Sequence, residues 1–519
     1  MWVHNAGGRP KLFLSGAILT VGAALSLATI GLAAPTKSSS ASPPAQLTVS
    51  YAADPTSLDP PQGGGVVERT LNNQMFDTLV YSDGKKHLLP ALALSWHEIN
   101  STKWRFTLRN NVHFTDGELF TPAAVSFSVA RYQSALSPQA SRFKNIKTVT
   151  TINAHTVEFA LNEPDSIFPD LLASLFMLPP KYDAEHPASY VSAHPVGTGP
   201  YELVNWTPGD HLTLRANPSY WQGRPPIKTV IFRPIPDDAT RVAAVQTGQV
   251  DIAWEIPPAL APTVVSGGIA TIKTIQGPRA VYIGLWPTGP NPVPALADPR
   301  VRQAMNYAID RRSIVKTLLL GTATLIGQPI PPLYLGYNRA VKAYPYDPTK
   351  AKALLAAAGY PNGFSLQLDY SDRWLTPDQA EAVQQYLAKV GIKVTLNHED
   401  YNTFTNNLFA GKYAPMYSLS IQGQEGIDAS EIYDTAVVTG GSFNWNKYSN
   451  PQADALIKAG EVSGNPKVRQ VKFAAAEQLL HNNPPWIYLW NNQSVWGVRK
   501  SIKWIPRSDD QLYIYENVH

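Results

Sequence analysis

Cysteine is absent from the 519 residues. A disulfide framework, a thiolate zinc site, an iron–sulfur cluster, a cysteine nucleophile and a lipid-modified cysteine are all excluded. Charge is sparse and nearly balanced: 43 basic against 39 acidic side chains leave a net +4. So small an excess supplies no concentrated basic face and argues against nucleic acid as a partner. Beyond residue 34 no segment approaches the ~20 uncharged apolar residues that cross a bilayer. The chemical signatures are missing too. None of the 11 histidines falls in an HExxH pair, and neither GxSxG nor a P-loop occurs. Gly197–Thr198–Gly199 starts a GxGxx run, but Pro200 and Glu202 break the dinucleotide fingerprint. Ser141–Arg142–Phe143–Lys144 matches SxxK without the SDN and KTG triplets that accompany it in penicillin-binding enzymes.

What is present begins at the N-terminus. His4, Arg9 and Lys11 precede an uncharged run over 12–34, which ends in Ala33 and Ala34 and leads into a Ser/Pro/Ala stretch, 35–46. A basic head, an apolar run and a small-residue exit read as a secretory signal. The run exceeds the ~7–15 residues of a usual signal and is long enough to be retained as an anchor. Either way the remainder is expected to work outside the cytoplasm, free or held by an uncleaved helix, and not as a lipoprotein. The 45 prolines are nearly twice the usual ~5% share and suggest shaped loops.

The body alternates between two grammars. Residues 103–108 and 156–161 alternate as strands, with a helix opening at Thr121–Pro122. From 228 the pattern is strand (230–232), helix from Asp237/Asp238 to Gly248, strand (250–254), which favours parallel pairing. Asp298–Pro299 is expected to cap a long helix carrying Val301, Ala304, Met305, Ala308 and Ile309 on one face. Asp347–Pro348 opens another, ended by Gly359. A second strand–helix–strand unit follows: 364–370, a helix from Thr376–Pro377 to Gly391, then Ile392, Val394 and Leu396. Two separated α/β regions and a strand-rich segment near the N-terminus imply two lobes and an inserted piece. Their ligand would sit in the crevice outside the strand carboxyl ends.

Ordered segments then point to a family. TSLDP (56–60), FDTLV (76–80), LPALA (89–93), WRFTLRNNVHFTDGELFTPAAVSFSVAR (104–131), VGTGPYELVNW (196–206) and NPSYWQGRPP (217–226) come first. IPDDATRVAAVQTGQVDI (235–252), DPRVRQAMNYAIDRRSIV (298–315), YDPTKAKALLAAAGYPNGF (346–364) and YSNPQADALI (448–457) follow. The series resembles, in order, the family 5 extracellular solute-binding proteins: dipeptide, oligopeptide and nickel receptors of ABC importers. The resemblance implies an α/β, two-lobed periplasmic-binding-protein fold (type II, cluster C-like) with an extra inserted N-terminal subdomain. It implies lobe I from 47–60 with 193–285 and 486–519, the insertion at 61–192, and lobe II at 286–485. It also implies binding without catalysis or cofactor, a peptide or other small ligand, an ABC permease with its ATPase subunits as partner, and a monomer.

Peptide-binding members hold the ligand's amine with an aspartate in a Trp-x-x-Asp-like segment. In the corresponding stretch, 418–428, Ile421 and Gln424 stand at those two positions, and Glu425 or Asp428 would serve only after a shift of register. The usual Phe-Asn before the long helix is Leu285–Trp286. Trp286, Gln422, Gly423, Gln424, Asn444 and Trp445 are therefore the expected cleft contacts. Trp254 ends a strand, and Trp490, Asn491 and Asn492 are candidates for the hinge. A peptide is the first expected ligand, with an opine, an oligosaccharide or a metal chelate as alternatives. A serine hydrolase acting through Ser141, and a sensor docking a membrane receptor, are the readings from other classes.

Overall fold

A computed structural model describes residues 44–84, 87–423 and 428–518, without the side chains of Asn402, Glu516 and Asn517. The signal or anchor at 1–34, together with Gln424 and Glu425, lies outside the described residues. Among those described, no helix is long and apolar enough to cross a membrane.

A mixed sheet runs through the described body. Its order is Lys393–His398, Ser365–Tyr370, Met416–Ile421, Ala270–Leu285, Trp486–Arg499, Ile252–Ala253, Gln46–Tyr51, Thr229–Pro234, His211–Ala216, Tyr201–Thr207. Both strand–helix–strand readings hold. Ser365–Tyr370 pairs in parallel with Lys393–His398 across the helix Pro377–Ala388. Thr229–Pro234 and Ile252–Ala253 lie parallel to Gln46–Tyr51, which enters between them.

Two long strands carry the chain between the halves. Residues 270–276 of Ala270–Leu285 pair with 493–499, then 277–279 drop out of register, and 280–284 pair with 486–491. On one side of this interruption Trp496 and Val498 enter a core with Leu47, Val49, Phe232 and Trp254. On the other, alternate side chains cover both faces of the sheet: Val281 and Ile283 meet Met305, Leu355 and Val383, while Ala280 and Tyr282 meet Tyr417, Phe473 and Trp486. A strand apolar on both faces is the mark of a sheet buried between helical layers. The antiparallel strands Ala93–Asn100, Lys103–Leu108, Thr156–Leu161 and Ile146–Asn153 form a separate four-stranded sheet closed by the helix Pro122–Gln133.

Local signals place the helices. Asp237, Asp347 and Asn450 each accept a hydrogen bond from a first-turn backbone N–H, as capping residues do. The expected continuous helix after Asp298 is a correction: it ends at Ala308, and Ile309 is extended at φ −105°, ψ 122°. Asp310 then caps a new helix, Arg311–Thr317, accepting from Ser313 N at 3.0 Å. Gly197 and Gly199 serve packing. A Cβ on either would lie within 2.4 Å of the Met75 backbone.

Candidate ligand cleft

Four strands end at one place. Gln46–Tyr51 and Ile252–Ala253 arrive from the first lobe, and Ser365–Tyr370 and Met416–Ile421 from the second. Peptide dipoles and irregular backbone at such carboxyl ends form the usual ligand crevice of α/β sheets. The residues following each strand supply its walls: Trp254 and Glu255, Arg373 and Trp374, Gln422 and Gly423. Arg279, in the register break of the crossing strand, donates from Nε to Gln422 Oε1 at 3.2 Å and lies 5.6 Å from the Trp374 ring. Arg373 also flanks that ring at 5.3 Å. Gly423 is clasped by Tyr334: its N–H donates to the phenol at 2.8 Å and its carbonyl accepts from the same hydroxyl at 3.2 Å. This fixes the start of the segment leading to Asp428.

Charges from the two lobes meet across the gap. Arg142 Nη2 lies 3.4 Å from Glu431 Oε1, and Arg373 Nη2 lies 3.8 Å from Glu255 Oε1. Burial lowers the Arg142 pKa, against the opposing field of Glu431, and Arg69 beside it lowers it further. Deeper, Asp510 is 6% exposed at φ 60°, with Ser494 and Trp254 beside its carboxylate and Arg279 as the opposing charge. Trp374 Nε1 is buried without a partner among the described residues. Unpaired buried donors and acceptors cost about 1–3 kcal/mol each, a cost that a ligand able to pair them offsets.

The expected contacts divide. Gln422 and Gly423 directly follow Met416–Ile421, beside Arg279 and Tyr334. Trp286 lies apart from them: it follows the end of the crossing strand, about 20 Å beyond the register break at ~3.4 Å per residue, and stacks on Tyr413 at 4.3 Å. Asn444 is 2% exposed and donates to the carbonyls of Val438 and Tyr448. Trp445 stacks on Phe443 at 5.2 Å, and its carbonyl accepts from Tyr413. Asp428 is occupied by Arg469, which reaches its two oxygens at 3.0 and 2.6 Å. Asn491 sits at the register break, donating to Gly277 O and Arg279 O. Ser141 is exposed on a single turn, Ala140–Phe143. Arg142, Glu431, Arg279, Arg373, Trp374 and Asp510 were not foreseen. For Arg373 and Trp374 a signal existed, since they directly follow an alternating strand.

A cavity of about 690 Å³ opens elsewhere, between Asn73, Asp77, Tyr81, Arg507 and Tyr515. None of its lining residues falls between 286 and 485. Of its two carboxylates, Asp77 and Asp83, Asp77 accepts from Thr198, Tyr220 and Trp221. No group of three or more histidine or acidic side chains arranged for a metal occurs among the described residues.

Two lobes joined by paired crossing strands, with charged and aromatic side chains facing one another across the gap, define a two-lobed solute-binding protein. The model of the bacterial extracellular solute-binding proteins, family 5 Middle, matches residues 87–444, and the chain belongs to that family. The glutathione-binding protein GsiB of Escherichia coli K12 is 29% identical over 492 residues, covering 89% of this chain and 92% of that protein. Among solved structures, the periplasmic binding protein DppA of Helicobacter pylori, in complex with the peptide STSA, superposes with a TM-score of 0.80. Its identity is 24%, over 91% of this chain and 98% of that one. The binding protein AgaA of A. tumefaciens R10, in complex with agropinic acid, has 26% identity and a TM-score of 0.77, covering 91% and 98%. The family is one of receptors that bind a solute outside the cytoplasm and work with an ABC permease and its ATPase.

Proposed function

We propose that this chain is the extracytoplasmic receptor of an ABC importer for a short peptide or peptide-like zwitterion, with glutathione as the first candidate. The observation that carries the reading is the pairing of opposite charges from both lobes, Arg142 with Glu431 and Arg373 with Glu255. A solute carrying both a carboxylate and an ammonium can engage these groups from the two sides at once. Contacts to both lobes favour the closed form, because a ligand shifts a conformational equilibrium only by its differential affinity for the two states. The register break at 277–279, opposite Asn491 and Asn492, is the hinge. The protein acts by binding rather than turnover, as a monomer exported by its N-terminal segment, and the division at 60/61, 192/193, 285/286 and 485/486 separates its parts.

The test is a thermal-shift titration of the purified protein with glutathione, the tetrapeptide Ser-Thr-Ser-Ala and agropinic acid. A ligand at 100 times its dissociation constant stabilises by about 2.7 kcal/mol. A shift with glutathione or the peptide is expected. A shift with agropinic acid alone makes the solute an opine, and a flat response to all three overturns the peptide-like ligand and leaves the receptor family standing.

A further inference from the structure

The lobes also meet along a second charged seam. Residues 163–170 follow the strand Thr156–Leu161 of the four-stranded sheet and touch residues 428–469 of the second half. Ser166 Oγ donates to Glu461 O at 2.9 Å and accepts from Arg469 Nη1 at 3.2 Å, and Lys458 Nζ stands 3.4 Å from Glu163 Oε2. Carboxylates crowd both sides of these contacts. Glu163, Asp165 and Asp170 come from one side, and Asp428, Asp434 and Glu461 from the other. Arg469, Lys458 and Lys144 are the cations that act on them. Full ionisation would set like charges against one another across a contact poor in water. We propose that this seam is a proton-operated latch: uptake of a proton by Asp170, and by the Asp434–Glu461 pair, favours closed lobes, and loss of these protons opens them. The latch needs lobes that open and close but no particular ligand.

The geometry sets the sign. Asp170 lies on the short helix Phe168–Leu171 and faces Asp428 from the other lobe. Arg469 moderates that field, yet it is committed to Asp428, whose oxygens it reaches at 3.0 and 2.6 Å. Asp165 stands on the same side as Asp170, with Arg469, Asp434 and Asp428 acting on it from across the seam. Asp434 and Glu461 hydrogen-bond one another, which two carboxyl groups do only by sharing a proton. Lys458 and Arg469 favour the charged form of Glu461, while Lys458 and Lys144 favour that of Asp434. Glu431, itself 3.4 Å from Arg142, opposes the charge on Asp434. Burial raises the Asp170 pKa to about 7, with Asp428 and Asp165 reinforcing the rise and Arg469 opposing it. Burial, with Asp434 beside it, takes Glu461 to about 9. Parting the lobes returns water to Asp170 and removes Asp428 from it, so its pKa falls toward the ordinary ~3.9. The closed form therefore keeps a proton that the open form releases, and closure weakens as pH rises from about 4 to about 7.

A chain without cysteine allows the closed form to be trapped. A Cβ on Gly464 would lie 3.7 Å from Ser166 Cβ, within the ~3.5–4.5 Å that a disulfide requires. Ser166→Cys with Gly464→Cys, oxidised by copper phenanthroline, locks the seam, and the two thiols have no competitors. Trapping rates are compared at one pH between this parent pair and the same pair carrying Asp170→Asn or Glu461→Gln, so the thiolate fraction cancels. With Asp170→Asn, trapping is expected to be about tenfold faster than in the parent at pH 8 and within about threefold of it at pH 5. Glu461→Gln is expected to act in the same direction. Small-angle scattering of the cysteine-free wild type should show a radius of gyration that grows between pH 5 and pH 8, and Asp170→Asn should flatten that growth. Trapping no faster with Asp170→Asn at pH 8, or faster by the same factor at both pH values, overturns the latch. So does a wild-type radius of gyration that ignores pH, and so does the absence of trapping in every background. None of these readouts uses a solute, so failure of the latch leaves the ligand reading intact, and failure of every solute to bind leaves the latch to be decided here.

Discussion

Glu477 lies in the second lobe's core, fully buried, with Tyr433 Oη donating to it at 2.5 Å. Burial pushes its pKa up to about 8. In the unfolded chain the group titrates near 4.3. Between those two values the native state keeps a proton that the unfolded state has lost, so this residue lowers stability as pH rises from about 4.5 to 8. Glu477→Gln removes that dependence. The melting temperature of the variant relative to wild type should therefore climb between pH 5 and pH 8. Neither Glu477 nor Asp510 stands out in the sequence, because burial of a single carboxylate leaves no periodic trace. The opposite failure affects Asn444 and Trp445. Their Gly/Ser/Asn-rich surroundings suggest a binding loop, but Asn444 uses its amide to brace Val438 and Tyr448. A polar side chain satisfied by its own backbone and one offered to a ligand look alike until their partners are known.

At the scale of elements, most of the fold was legible. Aspartate or threonine followed by proline marked helix starts at 121–122, 298–299, 347–348 and 376–377, and two-residue alternation marked the strands 103–108, 156–161 and 365–370. The break at Ile309 was not legible, since its apolar side chain fits the helical stripe of the preceding turn. It is enforced from outside: Arg311 is buried and donates to the carbonyls of Asn306 and Tyr488, tying the restart of the helix to the crossing strand. Asp310 stabilises that restart by accepting from Ser313 N and Oγ. Asp310→Ala should cost about 0.5–2 kcal/mol in urea unfolding, the usual loss for an N-cap. Gly199→Ala should cost about 1–3 kcal/mol by overpacking against Met75.

For the whole molecule, the contacts between lobes extend past the cleft. Ser166 Oγ donates to Glu461 O at 2.9 Å, and Lys458 stands 3.4 Å from Glu163. Carboxylates cluster around that seam. Burial raises Asp170 to about 7, and burial with Asp434 nearby raises Glu461. Of the two pairs across the gap, Arg142–Glu431 is partly exposed, so about 1 kcal/mol is the ceiling for what it adds to closure. Glu431→Gln should accordingly weaken ligand affinity roughly fivefold, and small-angle scattering should show a larger radius of gyration for the ligand-free variant. The two-lobed plan followed from two α/β regions separated in sequence. The route between them did not, because a 16-residue strand shared by both halves reads locally as two ordinary strands.

The partner of that shared strand, Trp486–Arg499, also sets an order of assembly. The first lobe's central strand, Ile252–Ala253, lies against 497–498, and Asp251 is paired with Arg499, 248 positions later. Its sheet stays open until nearly the last residues of the chain have arrived. Residues 286–485, in contrast, begin and end where Gly284 faces Trp486, so their long loop is already closed on itself. During synthesis or passage across a membrane, the half that starts second has all its parts first. The half that starts first waits, and the cleft cannot form before the chain is almost complete.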